Sequence, residues 1–247
     1  MKIILSPAKK MRENTDDFEV QHLPQFLEQA EEIMLWLKTK NREELRKLWK
    51  CNDAILDQNI ERLSVMDLRT SLTPAVIAYE GIAFQYMAPG VMEKEELTYL
   101  EDHLRILSAF YGILRPFDGV TPYRLEMQAK AQIEGTKDLY AFWNARLYDQ
   151  VCDESHEIVN LASKEYSKCI TSYLTEDDHM LNITFCEMVK GKLSTKGTYA
   201  KMARGEMVRY MAEKQVEEVK DLKRFDRLGY HYREDLSTET EYIFERR

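Results

Sequence analysis

Short apolar strands scattered among amphipathic helices, at no regular interval, constrain this chain more than any other feature. Ile3-Ile4-Leu5 is halted by Ser6-Pro7, which a helix would not tolerate there, so Lys2 to Leu5 reads as a strand and Ser6 to Lys10 as the loop at its end. Glu157 to Ala162 reads as a buried strand. Leu181, Ile183 and Phe185 alternate in another, Lys190-Gly191 predicts a hairpin turn before Leu193, and Tyr242 to Phe244 is a closing strand.

Between these runs the apolar residues recur at three and four. Pro24 to Lys38 predicts a helix, Glu43 to Trp49 and Ala54 to Leu63 two more, and Pro74 to Met87 another with Gly81 inside it. Leu97, Leu100, Leu104, Leu107 and Tyr111 predict one helix over Glu95 to Tyr111, with Gly112 as its C-terminal glycine. Tyr123 to Met127 reads as a strand that places Arg124 and Glu126 on one face. Asp138 to Val151 reads as a helix, and a long helix runs from Thr198 or Tyr199 to about Val219. Helices and strands interleave without βαβ spacing, repeat or linker, which predicts one continuous α+β or mixed α/β domain over residues 1–247, a mixed sheet flanked by helices.

Forty-four per cent apolar residues and nine glycines in 247 are globular values, and the net charge of −8 excludes a chain coated in positive charge. No apolar run approaches the ~18 residues that span a bilayer, and the first apolar stretch is too short for a signal peptide, so a cytoplasmic protein without a membrane partner is expected. Cys51, Cys152, Cys169 and Cys186 form no C-x-x-C and read as small buried residues. The five histidines are scattered. Glu176 to His179 has the spacing of one E-x-x-H half-site in an acidic loop, so neither a metal nor a cofactor is expected.

Local charge departs from the average. Lys190 to Tyr210 carries six basic residues against Glu206 alone, a segment able to hold phosphate in an acidic protein or to serve as a solvated helix face. Lys201 and Arg204 share a helix face beside Gly205, where a mid-helix glycine costs ~1 kcal/mol and signals close approach of a backbone or ligand. Arg115, Arg124, Lys9 and Lys10 offer further cations. Each arginine could instead pair a carboxylate such as Glu126 or Asp118. Phosphate-loop, dinucleotide and nucleophile-elbow motifs are absent from the sequence. Glu43 to Leu63 has the outline of a helix-hairpin-helix without its glycines, or of an αα-corner.

In order, the segments MKIILSPAKKM, AYEGIAFQYM, HLRILSAFYGILRPFDGVTPYRLEM, NLASKEYSK, YAKMARGEMVRYM and LGYHYRED closely resemble the YaaA family of peroxide stress proteins over essentially the whole chain. The resemblance implies a bacterial cytosolic protein induced by hydrogen peroxide that limits unincorporated iron. It also implies binding of duplex or branched DNA through a positively charged cleft and a helix-hairpin-helix-like element. Phe84 stands where many relatives carry Tyr.

The matching polar positions set the expected site. Lys9, Arg105, Arg115, Arg124, Lys164, Lys201 and Arg204 would contact DNA phosphates. Ser6, Ser108, Tyr123, Asn160, Ser163 and Tyr166 would line the same pocket. DNA is the expected partner. An enzyme acting on a nucleotide or damaged base in that cleft is the alternative, with Glu126, Glu165 and Asp118 as candidate acids or bases. The strand-end position of Ser6 and Lys9 predicts that they face one pocket with Arg115 and Arg124. The sequence sets no oligomeric state.

Overall fold

Lys2–Leu5 (β1) is the hub of the sheet, and its apolar run explains why: Ile3, Ile4 and Leu5 are all buried, as a strand covered on both faces requires. The structure, a computed structural model, describes residues 1–14 and 17–247. Helices α1 (Leu27–Lys38), α2 (Arg42–Trp49) and α3 (Asp53–Val65) follow, then β2 (Thr73–Pro74), α4 (Ala75–Ala78), α5 (Ile82–Met87) and α6 (Lys94–His103). The chain continues through β3 (Leu104–Ser108), β4 (Gly112–Leu114), β5 (Gly119–Val120), α7 (Leu139–Trp143) and α8 (Tyr148–Val151). It closes with β6 (Glu157–Asn160), α9 (Lys164–Thr171), β7 (His179–Val189), β8 (Lys192–Ser194), α10 (Gly197–Lys214), β9 (Tyr230–Tyr232) and β10 (Glu241–Arg246).

The main sheet is mixed, in the order β4-β3-β1-β6-β7-β10-β9, with β8 paired to β7. Its centre β3-β1-β6-β7-β10 is parallel; β4, β8 and β9 are antiparallel additions. The fold is therefore mixed α/β. From β1 the chain crosses to β3 on one side, whereas β6 leads to β7 on the other. The carboxyl ends of β1 and β6 thus flank a point where the winding reverses, the crevice in which open parallel sheets place ligands.

Five expected elements differ. Residues 104–111 do not continue the helix: α6 ends at His103 and Leu104, Ile106 and Leu107, all fully buried, form β3. A strand buried on both faces carries no alternation, so the leucine spacing that begins in α6 runs on into it by coincidence. Arg105 and Ser108 therefore belong to a strand. Residues 74–87 split into α4 and α5 because Tyr79 to Gly81 run past the loop after β1, where the Glu80 N–H donates to the Lys10 carbonyl at 2.8 Å. Residues 138–151 break at Asn144, whose backbone has φ of 51°. Tyr123 to Met127 joins no strand among the described residues, although Arg124 and Glu126 do meet at 3.5 Å. The last long helix ends at Lys214, with left-handed Gln215 as its cap, rather than near Val219.

The α2–α3 pair is a corner tied by its own charges. Asn52 caps α3 by accepting from the Ile55 N–H at 3.0 Å, and Arg42 reaches Asp57 at 2.8 Å while Arg46 pairs with Asp53. The Asp53 carboxylate already occupies the first turn of α3, where a phosphate would have to sit.

Candidate functional site

A cavity of about 440 Å³ opens at the carboxyl ends of β1 and β6. Its walls are the loop 6–10, α5, residues 123–126, the start of α9 and the middle of α10. Ser6 joins two of them: its hydroxyl accepts from the Ser163 N–H at 2.8 Å and lies 3.2 Å from the Ser163 hydroxyl. Ser163 is the N-cap residue of α9, and its side chain makes no capping bond.

Two glycines bring the remaining walls together. A Cβ on Gly81 would lie 2.6 Å from the Ala8 Cβ, so the first loop packs directly on the start of α5. A Cβ on Gly205 would lie 1.9 Å from the Ala83 carbonyl oxygen, so the glycine of α10 answers to the backbone of α5 rather than to a ligand. This close packing leaves Arg204 and Lys201 on the cavity side of α10.

The charges divide into paired and unpaired sets. Glu126 binds Lys9 at 2.8 Å and Arg124 at 3.5 Å, and Lys10 binds Glu80 at 2.9 Å at the rim. Glu165 accepts from the Gln128 N–H at 3.1 Å. Lys201 and Arg204 make no ion pair or hydrogen bond among the described residues, and the Arg204 Nε is buried without a partner. Burial pulls the Arg204 guanidinium below its ordinary value. The Nε of Arg124 is likewise buried and unpartnered.

Behind the cavity lies a neutral hydroxyl chain. The Tyr123 hydroxyl is 2.9 Å from that of Tyr79 and 2.8 Å from that of Ser108, which accepts from the Tyr111 N–H at 2.9 Å. Burial pushes Tyr123 up to about 12 and raises Tyr79 and Tyr166 as well, so all three are un-ionised phenols near neutral pH. Phe84 lines the cavity beside them and packs on Tyr79 with ring centroids 5.2 Å apart.

Of the expected site residues, Ser6, Lys9, Tyr123, Arg124, Glu126, Ser163, Glu165, Tyr166, Lys201 and Arg204 line this cavity. Ser108 stands behind Tyr123, and Asn160 is held by Asn182 at 2.8 Å and by the Ala162 N–H at 3.0 Å. Lys164 is exposed on α9 and does not line it. Arg105, Arg115 and Asp118 line a second cavity of about 380 Å³ instead. The expectation that Arg115 shares a pocket with Ser6 and Lys9 is thus corrected. Arg115 follows the antiparallel β4, and buried Asp118 captures its guanidinium at 3.0 Å. Arg105 pairs with Ile4 in mid-strand, short of the carboxyl end, and donates to the Glu101 and Leu104 carbonyls.

The basic segment 190–210 also divides. Lys196 is bound by Glu187 at 2.6 Å and Arg209 by Glu213 at 2.7 Å, so within α10 only Lys201 and Arg204 face the cavity unpaired. Sequence reasoning missed Tyr79 and Glu80 as site neighbours, although both lie in the AYEGIAFQYM segment. It also missed a cluster elsewhere: Cys152, His156 and Asp178 meet before β6 and β7, although Asp178 lies within the acidic E-x-x-H segment whose His179 is exposed.

Known proteins match this chain nearly from end to end. The family model of peroxide stress protein YaaA matches residues 1–236. A UPF0246 protein of Agathobacter rectalis is 60% identical over 247 residues, covering 100% of this chain and 99% of the relative. UPF0246 proteins of Lachnoclostridium phytofermentans and Pediococcus pentosaceus are 52% and 50% identical, each over 99% of this chain and 96% and 97% of the relative. With end-to-end matches at this level, the chain belongs to the family of the peroxide stress protein YaaA.

Proposed function

We propose that this protein serves the peroxide stress response by binding nucleic-acid phosphates at the cavity between β1, β6 and α10. One observation carries the reading: Arg204 is drawn into the wall with a buried Nε and no protein partner among the described residues. A desolvated cation without a counter-charge is costly, and a bound anion would supply the missing partner. Phosphate suits it because the planar guanidinium fork binds two oxygens at once. Lys201, three residues earlier, adds a second charge on the same side, and the first turn of α9 favours an anion there.

The limitation of unincorporated iron that the family resemblance implies would then run by an indirect route, because the cavity's glutamates are already engaged: Glu126 by Lys9 and Arg124, Glu80 by Lys10 and Glu165 by the Gln128 N–H. The cavity's volume, about 440 Å³, favours entry of one nucleotide unit rather than a duplex segment. That supports the second reading, an enzyme acting on a nucleotide or damaged base with Glu126 or Glu165 as general base. A pH-dependent product from such substrates would distinguish it.

The test of phosphate binding is a salt titration of duplex and branched DNA affinity for wild type and Lys201→Ala/Arg204→Ala. Loss of two phosphate contacts flattens the slope of log affinity against log salt by about 1.8 for a duplex, with no change in sequence preference. An unchanged slope in a variant whose circular dichroism matches wild type would refute the assignment.

A further inference from the structure

At the opposite end of the parallel strands from the cavity, three ligand atoms converge. Cys152 follows α8, His156 precedes β6 and Asp178 immediately precedes β7; the His156 carbonyl accepts from the His179 N–H at 2.8 Å, which aligns the two strand starts. The Cys152 Sγ is 2.9 Å from Asp178 Oδ1 and 3.4 Å from His156 Nδ1, and that nitrogen is 2.9 Å from the same Oδ1.

We propose that Cys152, His156 and Asp178 form a site for a divalent metal of the zinc class. The donor set is one sulfur, one imidazole nitrogen and one carboxylate oxygen, the mixture that zinc accepts. The spacing fits as well. Tetrahedral coordination at ordinary zinc bond lengths separates sulfur from nitrogen or oxygen by about 3.5 Å, and nitrogen from oxygen by about 3.3 Å. The observed triangle therefore needs to open by about 0.6 Å along its sulfur–oxygen edge, and by less along the other two, to admit the ion.

Asp178 is already fixed as a metal-ligating carboxylate would be. Its Oδ2 accepts from the Tyr148 hydroxyl at 2.8 Å, the Thr175 N–H at 2.7 Å and the Thr175 hydroxyl at 2.9 Å, which leaves Oδ1 to face Cys152 and His156. Outer donors of this kind orient the ligands of metal centres. Asp153 does not compete, since it faces the amino terminus and Lys2. The Asp178 side chain is fully buried while that of His156 is 44% exposed, so an ion has an approach and a solvent-facing fourth position. The arrangement differs from a nucleophile–base–acid chain. There the imidazole bridges cysteine and acid through two different nitrogens, whereas here Nδ1 alone faces both.

The test is calorimetric titration of the full, metal-stripped chain with Zn²⁺, paired with Co²⁺ absorption spectra. The expected result is one Zn²⁺ per chain and a thiolate-to-cobalt charge-transfer band, both lost in Cys152→Ala and in Asp178→Asn. Tyr148→Phe, which leaves all three ligands in place, should weaken Zn²⁺ by about 10–100-fold. The DNA variant Lys201→Ala/Arg204→Ala should bind Zn²⁺ as wild type does, which separates this site from the phosphate reading. A wild-type chain that takes up no stoichiometric Zn²⁺ would overturn the proposal. So would a folded Cys152→Ala variant with undiminished affinity, because the three groups would then be a hydrogen-bonded cluster only.

Discussion

Gly205→Ala tests how the cavity is built, because it adds one methyl group where α10 meets α5. The new Cβ would lie 1.9 Å from the Ala83 carbonyl oxygen. Ordinary carbon–oxygen contacts begin near about 3.3 Å, so the two helices must part by about 1.4 Å. The obstacle is backbone and cannot rotate away, which places the cost at the upper end of the overpacking range, about 3 kcal/mol. Alanine's better helix propensity returns about 1 kcal/mol, for a net loss of about 2 kcal/mol. In a protein of this size that lowers Tm by about 4–8 °C. Gly197→Ala, in the first turn of the same helix, is the control: nothing lies within 4 Å of its Cβ, so it should be neutral or stabilise by up to about 1 kcal/mol. Urea unfolding of both variants beside wild type measures the difference. If Gly205→Ala matched Gly197→Ala in sign and size, the close approach of α5 and α10 would be refuted, and with it the reason that Arg204 sits in the cavity wall.

Other features give further expectations. Tyr123→Phe removes the hydroxyl that links Tyr79 and Ser108 and should cost about 1–2 kcal/mol; Tyr79→Phe/Tyr123→Phe should cost no more, because it also removes the Tyr79 hydroxyl that the single change strands. Asp118→Ala leaves the half-exposed Arg115 with Glu101 at 3.9 Å and frees its N–H, and should cost about 2 kcal/mol, below the range for a fully buried pair, as read by chemical denaturation. Burial alone would raise the Glu213 carboxyl, but hydrogen bonds from Arg227 and Arg209 outweigh it and hold it below its ordinary 4.5. The stability it adds is present above that value and lost as pH falls through the folded one, so the gap between wild type and Glu213→Gln in urea midpoints should close on acidification.

The sequence made the parallel core legible wherever an apolar run met a hard stop. Ile3 to Leu5 ends at Ser6-Pro7, and that stop marked both the first strand and the loop that lines the cavity. It failed at Leu104 to Ser108, where burial on both faces leaves no alternation and a leucine series from α6 carries across the boundary. Arg124 and Glu126 met without the strand inferred for them, because any locally extended backbone brings residues two apart to one side. The basic segment pointed to Lys201 and Arg204, but composition could not tell them from Lys196 and Arg209, which Glu187 and Glu213 neutralise. Glu213 stands one helical turn from Arg209, and Glu187 reaches Lys196 across the β7–β8 hairpin; neither pairing is visible in a count of charges.

The reversal of winding at β1 explains why the rest was hidden. Parallel strands need long crossovers, so the walls of one crevice come from segments such as Ser6, Gly81, Tyr123, Ser163 and Arg204 that share no local pattern. Cys152, His156 and Asp178 obey the same rule at the opposite strand ends: β6 and β7 start in register, and that alignment carries the residues before each strand together. Spacing rules detect ligands that share a helix or a tight turn. Here Cys152 and His156 are four apart but straddle a turn in which His156 takes φ of 52°, and Asp178 arrives by way of the next strand. The residue that the E-x-x-H spacing singles out, His179, is the first of β7 and is exposed, while the aspartate before it is the one turned inward.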